Sequence, residues 1–284
     1  MDDFLMTGAL MGDVAGSWYE WHNIKEKPAE LILERDRFTD DSVLTYAVAE
    51  GILQGLAQID RSRLGEDAAA QERLKRAISG EIRDFALRYP DAGYGSRFLA
   101  WARSGSLEPY GSWGNGSAMR ASFAGWVAES LEEAILLARL SAEVTHNHPE
   151  GIKGAETIAA GIYLLRQGGG KEAVREYAAS QYPMDFTLDG IRPSYAFDVS
   201  CQGSVPVAVE AFWEGETFEE VIRLAISVGG DSDTLAAMAG SLAEACMEPP
   251  SSLRQRALDK LDPFLRETVE RISRPLTPPQ YGRT

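Results

Sequence analysis

A run of ten uncharged residues, 234–243, limits the possible folds of this chain more than any other feature. It follows Asp233 directly, and its apolar residues fit a helix. Because a helix without a polar face must be surrounded by other elements, we expect this one to be fully buried. Close packing against its neighbours is permitted by its small residues, Ala236, Ala239, Gly240 and Ala243.

The other periodic segments are also helical. Apolar residues recur at helical spacing over residues 43–52, 66–88, 134–144, 150–167, 221–228 and 252–273. Ser130 with Glu133, and Thr217 with Glu220, form capping-box patterns that predict helix starts. Strand signals are scarce, and the glycine-rich segments predicted as loops are 91–96, 111–117 and 200–206.

These patterns predict one compact all-α domain over residues 1–274 and a loose tail over 275–284, where prolines accumulate. The length of 284 residues suits one large domain. With 43 acidic and 28 basic residues the net charge is −15, which argues against a broad nucleic-acid or anionic-membrane surface.

The cysteine count and the hydropathy restrict the location. Cys201 and Cys246 are far apart in sequence, which excludes a disulfide scaffold and a thiolate zinc site. No stretch of 18 residues lacks a charge, so no transmembrane helix is expected. A signal peptide begins with basic residues, whereas this sequence has Asp2 and Asp3 there, so we do not expect a signal peptide. Together with the cysteine usage, this favours a cytoplasmic protein.

Two clusters combine carboxylates with a hydroxyl, and each opens a predicted helix. They are Phe-Thr-Asp-Asp-Ser at 38–42 and Gly-Gly-Asp-Ser-Asp-Thr at 229–234. Helix capping alone explains such a pattern in most cases. However, carboxylates at the start of a buried helix are costly without a compensating cation, and hard divalent cations take oxygen ligands. Four aspartates and one glutamate carry −5, which two divalent ions would nearly neutralise.

Other polar residues leave two interpretations open. Asp13 is either a turn residue or part of a site, and Glu20 is either a surface acid or a functional one. His146 and His148 flank a turn before Pro149; they either shape that turn, bind an anionic ligand or bind a metal. With no cysteine nearby, the anionic ligand is favoured over zinc. The glycine loop 111–117 runs into a helical segment, where backbone N–H groups can bind a diphosphate.

Five short motifs occur in an order that resembles the ADP-ribosylglycohydrolase family. The resemblance extends from Gly8 to about Ala245. Its markers are Gly12-Asp13-x-x-Gly16 with Glu20, Phe38-Thr39-Asp40-Asp41, Gly114-Asn115-Gly116-Ser117-Ala118-Met119-Arg120, Thr145-His146-Asn147-His148-Pro149 and Gly230-Asp231-Ser232-Asp233-Thr234. Each motif is short, but the order of all five is highly specific.

The resemblance implies an all-α fold with a central cleft for two Mg²⁺ ions, or Mn²⁺ in some members. It implies a catalytic role for Glu20, Asp40 and Asp231. The metal ligands that it implies are Thr39, Asp40, Asp41, Asp231, Asp233 and Thr234. The substrate-binding residues that it implies are Gly93, Gly95, Ser112, Trp113, Gly114, Asn115, Gly116, Met119, His146 and Asn147. Trp113 stands where the family often has another aromatic residue.

The expected function is a Mg²⁺-dependent hydrolysis that releases ADP-ribose from an ADP-ribosylated protein side chain or another conjugate. Two alternatives come from other classes. One is a binder of ADP-ribose without catalysis, and the intact aspartate clusters argue against it. The other is a two-metal phosphoesterase that cleaves the pyrophosphate.

Overall fold

A computed structural model describes residues 4–278 and confirms the all-α prediction. The first eight α-helices are α1 Gly8–Gly16, α2 Asp40–Leu56, α3 Ala68–Arg88, α4 Ser96–Ser104, α5 Gly116–Met119, α6 Ser122–Val127, α7 Leu131–Glu143 and α8 Pro149–Arg166. The remaining ones are α9 Gly170–Gln181, α10 Leu188–Ile191, α11 Cys201–Glu214, α12 Phe218–Ser227, α13 Ser232–Glu244, α14 Ser251–Leu258 and α15 Pro263–Ser273. A 3₁₀ turn occupies Arg61–Arg63.

Helix α13 is the buried helix that the uncharged run predicts: every one of its residues is buried. Its main neighbour is α1, which is also buried along its whole length. The two helices touch through backbone, because Gly8, Gly12 and Gly16 form one face of α1. A Cβ atom added at Gly12 would lie 2.0 Å from the Ala236 carbonyl oxygen, so only glycine permits this approach.

The predicted capping residues occupy helix starts. The Ser130 hydroxyl accepts a hydrogen bond from the Glu133 N–H at 3.1 Å, and Thr217 does the same for Glu220 at 3.2 Å. Thr39 caps α2 through the Asp41 N–H. Such caps satisfy N–H groups that the first turn of a helix leaves free, and they explain why α7, α12 and α2 begin where they do.

Two sequence-based expectations were wrong in detail. The single helix predicted over 252–273 is two helices, because Asp262 caps α15 and Pro263 cannot continue α14. The segment 200–206 is the start of α11, which contains Pro206, and not a loop. Of the two interpretations left open for Asp13, the turn is excluded, because Asp13 lies inside α1.

The C-terminal region is described in part. Leu276 is 8% exposed and packs against the hydrophobic core, although it lies in the segment predicted to be loose. The rest of the predicted tail, 279–284, lies outside the described residues. Between residues 4 and 278, no helix has the length and apolar character that crossing a bilayer requires.

Candidate functional site

The start of α2 is held by Asp13 of α1. The Asp13 carboxylate accepts hydrogen bonds from the Thr39 N–H at 2.9 Å, the Thr39 hydroxyl at 2.7 Å and the Ser42 N–H at 3.1 Å. It also accepts one from the Ser42 hydroxyl. Asp13 is fully buried, and its bonds fix the direction in which Asp40 and Asp41 leave the helix.

The start of α13 is shaped by two glycines with positive φ, Gly229 at 70° and Gly230 at 76°. A Cβ atom on Gly230 would lie 2.7 Å from the Tyr195 ring, so side chains are excluded there. Asp231 then takes the N-cap position and accepts a hydrogen bond from the Asn115 amide at 2.7 Å. The glycine pair thus turns the chain so that Asp231 reaches the loop that precedes α5.

The two acidic clusters meet, although 193 positions separate them in sequence. The Thr234 hydroxyl donates a hydrogen bond to Asp41 Oδ2 at 3.1 Å. Oxygen atoms of Asp13, Asp41 and Asp233 all lie within 4.8 Å of one another, and so do those of Glu20, Asp231 and Asp233. Asp233 therefore belongs to both groups, which is the arrangement expected of a carboxylate shared between two cations.

No lysine or arginine within residues 4–278 forms an ion pair with these carboxylates. Burial raises the pKa of Asp40, Asp41 and Asp233, and neighbouring carboxylates raise it further. Burial and then the Asp231 charge raise the pKa of Glu20 to about 7. The charged form of these carboxyls is thus disfavoured, because no basic side chain of the described residues pairs with them.

A further observation indicates that these oxygen atoms suit a hard divalent cation. Asp41 Oδ1 is buried and has no hydrogen-bond partner among the described residues. A buried carboxylate oxygen without a partner is costly, and a bound cation removes that cost. The ligands are oxygens of carboxylates and hydroxyls, which suit Mg²⁺ or Mn²⁺ and not a thiol-preferring metal.

The carboxylates open onto a cavity of about 620 Å³. We call Glu20, Asp40, Asp41, Asp231 and Asp233 the acidic wall. The cavity also contains most of the predicted substrate-binding residues, namely Gly93, Gly95, Ser112, Gly114, Asn115, Gly116, Met119 and His146. Thr234 contributes to the lining as well, so sequence motifs from both ends of the chain meet around one space.

Three predicted site residues do not line this cavity. Thr39 lies behind Asp41 and is bonded to Asp13. Trp113 is 48% exposed, and its ring lies 6.0 Å from that of His148. Asn147 is exposed beside the glycine loop.

Glycine at position 93 is required by the acidic wall. Gly93 has a φ of 117°, and a Cβ atom there would lie 3.1 Å from Asp40 Oδ1. The Ala92 carbonyl accepts the Asp40 N–H at 2.9 Å, which ties this loop to the start of α2. The loop thereby positions Asp40 at the cavity.

The loop before α5 differs from the predicted cradle of free N–H groups. The Gly114 N–H donates to Ser112 Oγ at 3.1 Å, and the Asn115 N–H donates to the Val199 carbonyl at 2.7 Å. Both donors are therefore used within the protein. Next to this loop lies His146, whose Nε2 atom would be 3.3 Å from a Cβ on Gly116. We call Gly114, Gly116, His146 and Arg120 the histidine wall.

Sequence reasoning assigned no definite role to several residues in or behind the cavity wall. Asp13 lies behind the acidic wall, bonded to Thr39 and Ser42, and the nearby Gly12 and Gly16 are the signal of close helix packing. Arg120 is fully buried, and its Nε and Nη1 atoms have no partner within the described chain. Trp21 and Phe197 are exposed aromatic residues that stack at 6.1 Å between ring centroids at the cavity. Their sequence surroundings carry no signal for this contact.

Comparisons with known proteins find relatives whose names share one activity. Human "ADP-ribosylhydrolase ARH3" is 25% identical over 84% of this chain and 83% of its own length. "ADP-ribosylarginine hydrolase Tri1" of Pseudomonas putida (strain GB-1) is 29% identical over 84% and 68%. "ADP-ribosyl-[dinitrogen reductase] glycohydrolase" of Rhodospirillum rubrum is 32% identical over 48% of each chain.

A solved structure supports the same relationship at the level of the fold. An "ADP-ribosylglycohydrolase-related protein complex" superposes with a TM-score of 0.63 at 26% identity, covering 94% of this chain and 93% of the other. The sequence profile of the ADP-ribosylglycohydrolase family matches residues 5–281. The chain therefore belongs to the ADP-ribosylglycohydrolase family, whose members are hydrolases of glycosyl bonds.

Proposed function

We propose that this protein is a Mg²⁺-dependent hydrolase that releases ADP-ribose from an ADP-ribosylated acceptor. The observation that carries the proposal is the meeting of two oxygen clusters at one cavity, with Asp233 common to both. A cavity of about 620 Å³ is large enough for a nucleotide-sized ligand. The names of the relatives place the ADP-ribosyl group at the centre of their reactions.

We assign Thr39, Asp40, Asp41, Asp231, Asp233 and Thr234 as the residues that hold two Mg²⁺ ions, with Mn²⁺ as a replacement. Asp41, Asp231 and Asp233 belong to the two oxygen groups, and Thr234 is bonded to Asp41. The assignment of Thr39 and Asp40 rests on the family resemblance. When bound, such ions supply positive charge that orients ribose hydroxyls and activates a water molecule. Asp13 holds Thr39 and Ser42 in place and thus positions the ligands of α2.

The reaction breaks the bond between C1″ of the distal ribose and the acceptor atom, and water adds to C1″. Glu20 transfers a proton to the leaving acceptor atom or takes one from the attacking water. It suits this role because it lines the cavity and is partly exposed, whereas the aspartates beside it are held at helix starts. Asp40 and Asp231 complete the catalytic set by their place next to Glu20. The glycines at 93, 95, 114 and 116 leave space for the ligand.

A panel of conjugates tests the proposal directly. ADP-ribose linked to arginine, to serine and to nucleic acid is incubated with the protein, with and without Mg²⁺, and the products are separated. We expect free ADP-ribose from at least one linkage, and only with the metal. AMP as the product would indicate the phosphoesterase, and tight ADP-ribose binding without release from any linkage would indicate the binder.

We also propose a cytoplasmic location. Cys201 and Cys246 are both free, and Cys201 is buried, as expected of a protein kept in a reducing compartment. Fractionation of cells that produce the protein tests this, and recovery from an oxidising compartment would contradict it.

A further inference from the structure

Hydrogen bonds link two residues of the histidine wall, Arg120 and His146, through the buried hydroxyl of Thr145. Arg120 Nη2 donates a hydrogen bond to Thr145 Oγ1 at 2.7 Å, and Thr145 Oγ1 lies 2.7 Å from His146 Nδ1. Arg120 and Thr145 are completely buried, and His146 is 5% exposed. Nη2 also donates to the Ser141 carbonyl at 3.2 Å, so both of its protons are used.

Donor and acceptor roles along this chain follow from the chemistry of each group. A guanidinium only donates, so the Thr145 oxygen accepts from Arg120. The hydroxyl proton of Thr145 then needs an acceptor, and Nδ1 of His146 is the one that the described residues provide. If Nδ1 carried a proton itself, the buried Thr145 hydroxyl would keep a donor without a partner, which is unfavourable.

We propose that Arg120 and Thr145 hold His146 as the neutral tautomer that carries its proton on Nε2. This tautomer presents one N–H donor to the cavity beside Gly114 and Gly116. Burial and the charges of Arg120 and Arg97 lower the pKa of His146 well below its ordinary value, which agrees with a neutral ring. Arg120 and Thr145 are positioning residues, since they act through His146.

The donor matters because two N–H groups of the neighbouring loop are not available to a ligand. The N–H groups of Gly114 and Asn115 are bonded within the protein, whereas Nε2 of His146 has no partner in the described chain. The family resemblance already implies that His146 binds the substrate. What the tautomer adds rests on the proposed function: the ring offers ADP-ribose an N–H donor whose position Thr145 fixes.

Nitrogen NMR of the full chain labelled with ¹⁵N-histidine measures the tautomer without any ligand. The chain has three histidines, and the variants His22→Asn and His148→Asn assign their signals. We expect the His146 spectrum to show a protonated Nε2 and an unprotonated Nδ1. A protonated Nδ1 in the wild-type protein would overturn the proposal.

Matched variants at position 145 test the hydrogen-bond relay, by which we mean the link from Arg120 through Thr145 to His146. Thr145→Val removes the hydroxyl and keeps the shape, and Thr145→Ser keeps the hydroxyl. We expect Thr145→Val to shift the Nδ1 signal, to populate the other tautomer and to weaken ADP-ribose binding by about tenfold. Thr145→Ser is expected to retain the wild-type spectrum and affinity.

The outcomes separate the relay from the proposed function. If Thr145→Val weakens ADP-ribose binding but leaves the tautomer unchanged, Thr145 acts by packing and the relay is wrong. If the wild-type protein binds no ADP-ribose, the proposed function fails, while the spectrum of the free protein still decides the tautomer. Arg120→Met, checked for folding by circular dichroism, is expected to shift the same Nδ1 signal.

Discussion

The acidic wall and the histidine wall line one cavity, but they compensate buried polarity in different ways. In the acidic wall, Asp41 and Asp233 are buried close together, and Asp41 Oδ1 has no partner in residues 4–278. In the histidine wall, Arg120 and His146 are connected through the buried Thr145 hydroxyl behind them, and the proposed result is a neutral ring. The acidic wall therefore needs positive charge from a bound cation, whereas side chains of the protein itself set the protonation of His146.

The largest expected effect comes from the carboxylate that both oxygen groups share. Asp233→Asn should lower kcat by about 10³-fold or more, because one substitution weakens both cation positions. Steady-state rates at saturating Mg²⁺ measure it, and Asp36→Asn is the control, since Asp36 is a buried aspartate that binds the Leu33 N–H outside the cavity. A wild-type rate for Asp233→Asn would refute the ligand assignment.

Loss of the proposed proton-transfer group ranks next. Glu20→Gln should lower kcat by about 10²–10⁴-fold and leave the Kd for ADP-ribose nearly unchanged, because the amide keeps the shape but cannot transfer a proton. Calorimetry and single-turnover rates separate the two quantities. If ADP-ribose binding is lost together with the rate, Glu20 positions the ligand and does not transfer the proton.

Metal removal should affect the acidic wall alone. At a Mg²⁺ concentration a hundred times its Kd, we expect the free energy of unfolding to rise by about 2.7 kcal/mol for each bound ion relative to the protein in chelator. Urea titrations with and without Mg²⁺ measure this rise, and Asp233→Asn should show much less of it. The ¹⁵N signals of His146 should keep the same tautomer in both conditions; a change would mean that the two walls are coupled.

The pH dependence of the metal-free protein is the smallest expected effect. Burial raises the pKa of Asp13 to about 6, whereas an aspartate in the unfolded chain titrates near 4. Because the folded state binds this proton more tightly, its stability should fall as the pH rises from about 4 through about 6.

Urea titrations in chelator at about pH 4.5 and about pH 7.5 measure this fall. Asp41→Asn should reduce it, because this substitution removes a second carboxyl whose pKa is raised by burial and by the charges of Asp13, Asp40 and Asp231. A stability that rises over the same range, with no difference between the two proteins, would contradict the unneutralised charge of the acidic wall.

The sequence predicts the acidic wall better than the histidine wall. Local capping and glycine signals mark the positions of Asp40, Asp41, Asp231 and Asp233. The uncharged run after Asp233 predicts a buried helix, and carboxylates at the start of a buried helix are costly without a cation. Their meeting across 193 positions follows from charge balance and family resemblance, since no local pattern joins the two segments.

The features that the sequence does not predict depend on contacts between distant segments. Thr145 and Arg120 are joined across 25 positions, and neither the order of hydrogen bonds nor the tautomer of His146 has a local pattern. The break between α14 and α15 is different, because the Asp262-Pro263 pair is a local start signal that the apolar periodicity across 252–273 conceals.

The contact between α1 and α13 sets the dimensions of the acidic wall. A Cβ atom on Gly16 would lie 2.4 Å from the Cα of Asp233, so main chain meets main chain beside the proposed ligands. The spacing of the carboxylates is therefore governed by how closely two helices approach, and side-chain rotamers can adjust it only slightly. To enlarge this centre for a bigger ion, a protein engineer would have to move a helix and not merely exchange a ligand.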